Sequence, residues 1–480
     1  MTHTVEKIGG TSIANTPVVF DNVLIGDRKD QNLYNRMFVV SAYAGITNLL
    51  LEHKKTGQPG VYGQFADAQN KWAWSDALTE LSLEMRRRNE EVLDDENDRK
   101  VADDFVRERI EGVRNCLIDL NRLCSFGQFR LDEHLTTVRE MLAGLGEAHS
   151  AHNTALRLRS LGVNAVFVDL TGWRDERDLT LEERMKDALD KIDISKTIPI
   201  ITGYANCLEG MVKLYDRGYT EVTFAHLSSL TGAREAIIHK EFHLSSADPK
   251  LVGEDKVCKI GATNYDVADQ LSNMGMEAVH PNAAKILRQA GIPLRVKNTF
   301  DPKDDGTVIK GDFMPPKPRA EIITGIKSVD ALEIFEQDMV GVKGYDAAIL
   351  DALTRHNIRI ISKCSNANTI THYVDGTRKA LNLAIETIEA ALPAATINRR
   401  KVAIVSVIGA DLDSPGMTAA ALSALAESNI GLVGVQQVTR KTDIQIIVDE
   451  DNFDAATIAL HKALIEKKSD ADGHRLKAVA

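Results

Sequence analysis

A lysine beside a pair of glycines is the first feature of the chain that could do chemistry. Residues 5–13 are VEKIGGTSI, so Lys7 lies inside a short apolar stretch and Gly9 and Gly10 follow that stretch. Glycines let an anion approach the main chain, and a helix that begins just after them adds N–H groups and a dipole that favours phosphate. The stretch therefore predicts a phosphate site with Lys7 as its mobile charge. It matches neither the P-loop nor the dinucleotide-binding glycine pattern, and an ordinary turn with a surface lysine is the alternative.

Short apolar stretches with strand character recur along the first two thirds of the chain, with helical stretches between most of them. They are 4–10, 36–42, 164–170, 198–204, 211–217, 235–241 and 292–298. The stretch 201–215 predicts a hairpin closed around Glu209-Gly210, and 67–161 is charged with a helical period. Strands interleaved with helices predict a three-layer α/β domain over residues 1–315.

The last third of the chain has a different pattern. A segment with three prolines, 311–321, indicates a linker. After it, a turn, a helix and strands occur twice in the same order, with HNIRI at 356–360 and SNIGL at 428–432 in matching places. The repeat predicts two α+β, ferredoxin-like modules at 320–395 and 400–453. We expect the tail 454–480 to fold back and complete the first module.

Composition and charge narrow the class of protein. A chain of 480 residues is too long for one ordinary hydrophobic core, so more than one domain is expected. The net charge of −11 argues against nucleic-acid binding. The five cysteines contain no C-x-x-C pair, and no His/Cys cluster has metal-ligand spacing along the sequence. No apolar run is long enough to span a membrane. We therefore expect a cytoplasmic protein with no protein-bound metal and with no nucleic-acid or membrane partner.

Several motifs resemble those of the aspartate kinases, and they occur in that family's order along nearly the whole chain. They are KIGGTS (7–12), VVSAYAGITNLLL (39–51), GLGEAHS (144–150), SADPKLVG (246–253), AVHPNAAKIL (278–287) and PLRVKNTFDPKDDGTVI (293–309). The C-terminal modules resemble ACT domains. The resemblance implies an amino-acid kinase (carbamate-kinase-like) catalytic domain. Ile8 and the divergent segments described below resemble the subgroup associated with ectoine biosynthesis.

The family's activity is implied in the same way. Aspartate kinases move the γ-phosphoryl group of ATP to the β-carboxylate of L-aspartate, which begins aspartate-family biosynthesis of lysine, threonine, methionine or ectoine. The resemblance implies ATP with Mg²⁺ that arrives bound to it, and a homodimer through the ACT modules. Because the acceptor is already a nucleophile, catalysis should rest on alignment and charge neutralisation.

The resemblance also assigns roles to individual residues. Lys7 and Glu221 are the catalytic residues, with Lys7 on the transferred phosphoryl group. Glu147 receives the α-ammonium group of aspartate, and the planar fork of Arg217 clamps its α-carboxylate. The remaining substrate-site residues are Ser41, Thr47 and Thr220. The residues near the nucleotide phosphates are Gly9, Gly10, Ser12, Gly218, Asp248 and Lys250.

Three departures from the family pattern leave alternatives open. Residues 216–221 are DRGYTE where the family usually has GRGGSD, and 239–243 are HKEFH where TDVDG is common. Glu277 occupies a position that is often lysine. The alternatives are an amino-acid sensor with a decayed kinase site, or another acyl-phosphate-forming kinase.

The resemblance gives one expectation about regulation. Lysine-sensitive relatives place an aspartate on the strand after the first ACT helix, where it receives the ammonium group of lysine. Ile361 aligns with that aspartate here, and Arg359 and Lys363 flank it. We therefore expect weak or absent feedback by lysine.

Overall fold

Some strands of the N-terminal half, such as RMFVV at 36–40 and IPIIT at 198–202, are nearly continuous apolar stretches, which is typical of a sheet buried on both faces. The computed structural model describes residues 2–67, 72–276 and 278–466. In chain order its strands are β1 (Thr4–Ile8), β2 (Arg36–Val40), β3 (Ala165–Val168), β4 (Ile198–Thr202), β5 (Glu235–Lys240), β6 (Ala262–Asn264), β7 (Leu294–Asn298), β8 (Thr307–Lys310), β9 (Ile322–Phe335), β10 (Arg359–Ser365), β11 (Thr369–Asp375), β12 (Thr396–Ile408), β13 (Gly434–Gln437) and β14 (Asp443–Val448).

The helices begin at recognisable caps in several places. Asp95 accepts hydrogen bonds from two backbone N–H groups of the helix that follows it, and Thr180 and Glu183 form a capping box. The α-helices are α1 (Gly10–Ala14), α2 (Thr16–Val19), α3 (Ile46–Leu50), α4 (Val61–Ala66), α5 (Ala73–Val92), α6 (Glu96–Cys124), α7 (Leu135–Ser160), α8 (Leu181–Leu189), α9 (Met211–Tyr215), α10 (Tyr219–Thr231), α11 (Pro249–Val252), α12 (Tyr265–Asn273), α13 (Pro281–Gln289), α14 (Tyr345–Arg355), α15 (Arg378–Ala391), α16 (Met417–Glu427) and α17 (Phe453–His461).

One compact unit comprises residues 1–243 and 279–311. Its sheet has the order β3-β4-β2-β1-β5-β7-β8, in which β1 pairs in parallel with β2 and β5. Only the last pairing of this order, β7 with β8, is antiparallel. The carboxyl ends of the parallel strands therefore share one edge, where ligands of such sheets usually bind.

The second compact unit comprises residues 244–278 and 312–480, described to residue 466. Its antiparallel sheet has the order β10-β11-β9-β12-β14-β13. A strand, a helix and two strands occur twice, as β9-α14-β10-β11 and β12-α16-β13-β14. The predicted duplicated ferredoxin-like module is present.

One detail differs from the sequence predictions. Residues 211–215 form helix α9 and no hairpin, because the Glu140 carboxylate accepts hydrogen bonds from the backbone N–H groups of Val212 and Lys213 at its start. The described part of the predicted tail, 454–466, shares an apolar core with α16 through Ala456 and Leu460, and this core also contains Ile323 of β9. Completion of the first module by the tail stays a prediction. The rest of the predicted tail, 467–480, lies outside the described residues.

The compact units also divide the chain differently from the predicted domain 1–315. The segment 244–278 groups with the C-terminal unit, because Leu271 and Met274 at the end of α12 share an apolar core with β9 and β12. Among the described residues, no helix combines the length and the apolar character that crossing a bilayer requires.

Candidate active site

An ion pair at the end of β1 joins the two predicted catalytic residues. Lys7 Nζ lies 3.2 Å from Glu221 Oε1, and both side chains are largely buried. Glu221 is in the first turn of α10, and its other carboxylate oxygen accepts a hydrogen bond of 2.5 Å from the His280 backbone N–H. Burial alone would raise the pKa of Glu221, but Lys7 and Lys240 lower it to about 2. The carboxylate is therefore ionised at neutral pH and holds the Lys7 ammonium group in place.

The glycine turn lies directly beside this pair. Gly9 is the N-cap of α1, and a Cβ atom at Gly10 would lie 2.6 Å from the Ala42 carbonyl oxygen, so only glycine fits there. The Ser12 side chain is buried, 3.5 Å from Glu241 Oε1 and 3.2 Å from the Thr299 hydroxyl that donates to it. The structure thus brings Gly9, Gly10 and Ser12 together with Lys7.

A buried carboxylate with one unpaired oxygen lies nearby. Glu147 on α7 is 2% exposed, and its Oε1 accepts a hydrogen bond of 2.5 Å from the Thr220 hydroxyl. Among the described residues, Oε2 has no hydrogen-bond partner. Burial raises the pKa of Glu147 to about 8, although Thr220 and Lys7 both act to lower it. An arrangement of this kind fits a ligand that brings its own positive charge.

A glycine that the sequence analysis did not single out makes room for this carboxylate. Gly203 directly follows β4, and a Cβ atom there would lie 2.8 Å from Glu147 Oε2 and closer still to Thr220. The signal in the sequence is a glycine that follows an apolar strand, the same pattern as Gly9 after β1.

Arg217 lies in a network that the sequence did not predict. Its Nη1 donates to Asn48 Oδ1 at 2.7 Å, and its Nη2 donates to the Glu52 carbonyl and lies 3.4 Å from Glu52 Oε1. The Glu52 carboxylate is held by both Nη atoms of Arg139, each at 2.7 Å. These acceptors fix the plane of the Arg217 guanidinium. Gly218 follows it, where a Cβ atom would collide with the His280 ring.

The loop that carries Ser41 packs against α7. The Ser41 N–H donates to the Ile8 carbonyl at 3.1 Å, and its carbonyl accepts a hydrogen bond of 2.8 Å from the Ser150 hydroxyl. Gly146 permits this contact, since a Cβ atom there would lie 2.8 Å from the Ala42 side chain. Thr47 follows on α3 and is half-buried. Both hydroxyl residues therefore belong to the segment between β2 and α3, at the same sheet edge.

Two predicted phosphate contacts lie in the other compact unit. Asp248 is the N-cap of α11, and its carboxylate accepts a hydrogen bond of 2.9 Å from the Lys250 N–H. Their assignment to the nucleotide stays a prediction. The divergent position Glu277 lies outside the described residues.

The divergent segment 239–243 begins with a buried charge network. His239 Nε2 lies 2.7 Å from Glu6 Oε2, and Glu6 also pairs with Arg36 at 2.7 Å. Burial would raise the pKa of Glu6, but Arg36 and His239 hold it well below its usual range. Glu6 and Lys7 are consecutive in β1, so they point to opposite faces of the sheet. The network therefore supports the strand from behind the site.

Comparison with known proteins gives a consistent result. The sequence profile of the amino acid kinase family matches residues 3–298, and that of an ACT domain matches residues 398–462. Aspartate kinase Ask_Ect of Stutzerimonas stutzeri (strain A1501) is 51% identical over 98% of this chain and 99% of its own length. The aspartokinase of Candida albicans (strain SC5314 / ATCC MYA-2876) is 23% identical over 96% of this chain and 90% of its own.

Solved structures with the same fold support the architecture. E. coli aspartokinase III in complex with lysine and aspartate has a TM-score of 0.72 at 19% identity, and it covers 97% of this chain and 100% of its own. The same enzyme in complex with aspartate and ADP has a TM-score of 0.69 at 18% identity, with the same coverage. These likenesses confirm the predicted fold class.

Proposed function

We propose that this chain, which belongs to the aspartate kinases of the amino acid kinase family, transfers the γ-phosphoryl group of MgATP to the β-carboxylate of L-aspartate. The observation that carries the proposal is the buried Glu147 carboxylate, whose Oε2 has no hydrogen-bond partner among the described residues. The full-length identity of 51% to Aspartate kinase Ask_Ect supports the choice of aspartate. The product would be 4-phospho-L-aspartate.

Two groups of opposite charge would hold the amino acid. Glu147 binds the α-ammonium group through Oε2, while the Thr220 hydroxyl keeps the carboxylate in its rotamer. Arg217 binds the α-carboxylate with the guanidinium edge that Asn48 and Glu52 leave available. Arg139 fixes Glu52 and thereby the plane of the guanidinium. Ser41 and Thr47 supply hydroxyl groups for the β-carboxylate.

Positioning and charge neutralisation would drive the transfer itself. The backbone at Gly9 and Gly10 supports the phosphate chain, and Lys7 neutralises the charge on the transferred group. Glu221 orients Lys7 through the 3.2 Å ion pair. Mg²⁺ that arrives with ATP supplies further charge neutralisation on the phosphates. Because aspartate attacks through an oxygen that is already ionised, no side chain has to remove a proton.

Two further properties complete the proposal. The name of the 51% identical relative, Aspartate kinase Ask_Ect, supports the ectoine-associated subgroup that Ile8 and the divergent segments suggest. We also propose a homodimer through the C-terminal modules, since β10 and β13 are edge strands of the six-stranded sheet within the chain. Light scattering of the purified chain measures this property directly.

Hydroxamate formation tests the activity. The purified chain is incubated with ATP, Mg²⁺, hydroxylamine and L-aspartate, L-glutamate or N-acetyl-L-glutamate in turn. Only L-aspartate should give substantial ATP-dependent hydroxamate, since Glu147 requires an α-ammonium group and the space is set by Gly203 and Thr220. The Lys7→Ala variant is the control for contaminating kinases. Equal rates with N-acetyl-L-glutamate would contradict the assignment of Glu147, and no product with any acceptor would favour a decayed kinase site.

A further inference from the structure

A histidine and two aspartates meet just beyond the carboxyl ends of β5 and β7. His243 follows β5, and Asp301 and Asp304 lie in the turn between β7 and β8. His243 Nε2 is 3.3 Å from Asp301 Oδ2, and His243 Nδ1 is 3.7 Å from Asp304 Oδ1. One ligand atom from each residue lies within 4.8 Å of the others. Because these residues are far apart in the sequence, their spacing along the chain gave no indication of a cluster.

The histidine is buried, although both carboxylates reach solvent. Its side chain is 4% exposed, whereas those of Asp301 and Asp304 are 50% and 24% exposed. His243 Nδ1 is buried and has no hydrogen-bond partner among the described residues. Asp304 Oδ1 already accepts a hydrogen bond of 2.6 Å from the Gly306 N–H. His243 Nδ1 is therefore buried and faces the Asp304 carboxylate without a hydrogen bond between them. Together with the cluster itself, this nitrogen indicates that a ligand binds here.

We propose that His243, Asp301 and Asp304 bind a divalent first-row metal ion, separate from the Mg²⁺ that accompanies ATP. Ligand atoms around such an ion lie about 3.0–3.6 Å apart when its bonds are about 2.1–2.2 Å long. Here one ligand atom from each residue lies within 4.8 Å of the others, so an ion that takes a single nitrogen of His243 would draw the exposed carboxylates inward. One imidazole with two carboxylates suits Mn²⁺ or Zn²⁺ better than Mg²⁺, which prefers oxygen ligands throughout. The exposed side of the aspartates leaves room for water in the remaining positions.

The charges around the cluster favour a dication over a simple ion pair. Two carboxylates that converge on one imidazole retain a negative charge even when the ring is protonated, and a divalent ion neutralises both. The turn itself is held by hydrogen bonds from the Asp301 N–H to Asn298 and from the Asp304 N–H to Asp301. The backbone that carries the two aspartates is thus held in place.

The ion would connect two segments that border the glycine turn. Glu241, two residues before His243, lies 3.5 Å from the Ser12 hydroxyl, and Thr299, two residues before Asp301, donates to that same hydroxyl. A metal ion that bridges the segment after β5 and the turn after β7 would hold both against α1. Its role would be to order the two segments that contact Ser12, and it does not depend on which amino acid is phosphorylated.

Mn²⁺ is the appropriate probe, because it prefers nitrogen and oxygen ligands and avoids exposed thiols such as Cys116 and Cys364. The full chain, stripped with a chelator, is titrated with Mn²⁺ in the absence of nucleotide, and unbound Mn²⁺ is measured by electron paramagnetic resonance. We expect one ion per chain in the wild type. Asp301→Asn and His243→Ala should each weaken binding at least about tenfold.

Asp305→Asn is the matched control, because it removes one carboxylate from the same turn but lies outside the cluster. It should bind Mn²⁺ like the wild type. Asp301 is half-exposed, so its substitution leaves the fold intact if the buried His243 variant does not fold. Absence of nucleotide-free binding in the wild type would overturn the proposal and leave an imidazole–carboxylate ion pair. Equal loss in Asp301→Asn and Asp305→Asn would overturn it too, since general surface charge would then be responsible.

Discussion

Replacing Glu147 by glutamine separates the two properties that the structure gives this side chain, its burial and its charge. Glu147 is 2% exposed, and burial raises its pKa to about 8. An ammonium group binds the ionised form. Aspartate must therefore select a carboxylate that is about one tenth ionised at pH 7 and about three quarters ionised at pH 8.5.

The expected size of the effect follows from these fractions. The KM for aspartate in the wild type should fall about eightfold between pH 7 and pH 8.5, because the apparent affinity scales with the ionised fraction of Glu147. In Glu147→Gln this pH dependence should disappear. The KM should also rise roughly a hundredfold or more, since removing one partner of a buried charge pair costs about 2–5 kcal/mol. The KM for ATP should change little in either protein.

The same pKa sets a pH dependence of stability in the ligand-free protein. Between pH 4.5 and about 8 the folded state keeps a proton on Glu147 that the unfolded state releases, so stability falls as the pH rises through this window. At full ionisation the cost is on the order of 4–5 kcal/mol. Glu147→Gln lacks this cost, so its melting temperature should exceed that of the wild type more at pH 8.5 than at pH 5.

Initial rates across a matrix of aspartate concentrations and pH values measure the first effect, and calorimetry measures the second. Glu80→Gln, an exposed position on α5, is the control for the loss of one charge. A KM for aspartate that is flat from pH 7 to 8.5 in the wild type would refute the assignment of Glu147 to the ammonium group. If the KM for aspartate depends on pH in Glu147→Gln as it does in the wild type, another residue is responsible for that dependence.

Three further substitutions test the neighbouring roles. Lys7→Ala should lower kcat roughly a hundredfold, about 2.7 kcal/mol, and unchanged kcat would remove Lys7 from phosphoryl transfer. Arg217→Lys should raise the KM for aspartate more than the KM for ATP, because the charge stays but the fork is lost, and the opposite order would place Arg217 on the nucleotide side. Glu52→Gln should raise the KM for aspartate about tenfold with little change in kcat. The reason is that the Glu52 carboxylate lies 3.4 Å from the Arg217 guanidinium and is itself held by Arg139 at 2.7 Å. If Glu52→Gln raises the KM for aspartate and lowers kcat by the same factor, the role of Glu52 is merely structural.

The sequence predicted which backbone segments form the edge of the sheet, but it did not predict which side chains contact one another there. An apolar strand that ends in Gly-Gly is visible locally, and β1 with Gly9 and Gly10 forms as expected. The partner of Lys7 was not predictable as a contact, because Glu221 lies on a different element far along the chain. Motif resemblance placed Glu147 in the substrate site, but its raised pKa depends on burial that only the packed structure provides.

Tertiary contacts also explain why local propensity was wrong at 211–215. Val212, Leu214 and Tyr215 favour a strand by composition, yet the segment is helix α9. The Glu140 carboxylate, which also accepts a hydrogen bond of 2.9 Å from the Tyr204 hydroxyl, binds the N–H groups at the start of this helix. That interaction joins α7 to the segment just before Arg217. The local sequence around α9 contains no trace of it.

Feedback by lysine should be weak or absent, although both C-terminal modules are present. Ile361, which aligns with the aspartate of lysine-sensitive relatives, is 6% exposed and lies in an apolar core with Leu271 and Met274. The carboxylate of Asp346 pairs through Oδ2 with Lys363 at 2.6 Å, and its Oδ1 lies 3.4 Å from His372 Nε2. A buried ammonium group without an acceptor would lose more than the roughly 4 kcal/mol that separates micromolar from millimolar binding. Activity at limiting aspartate, titrated with lysine, threonine and both together, measures the effect. Strong inhibition by lysine alone at sub-millimolar concentration would show that another residue of this chain accepts the ammonium group, although position 361 is an isoleucine.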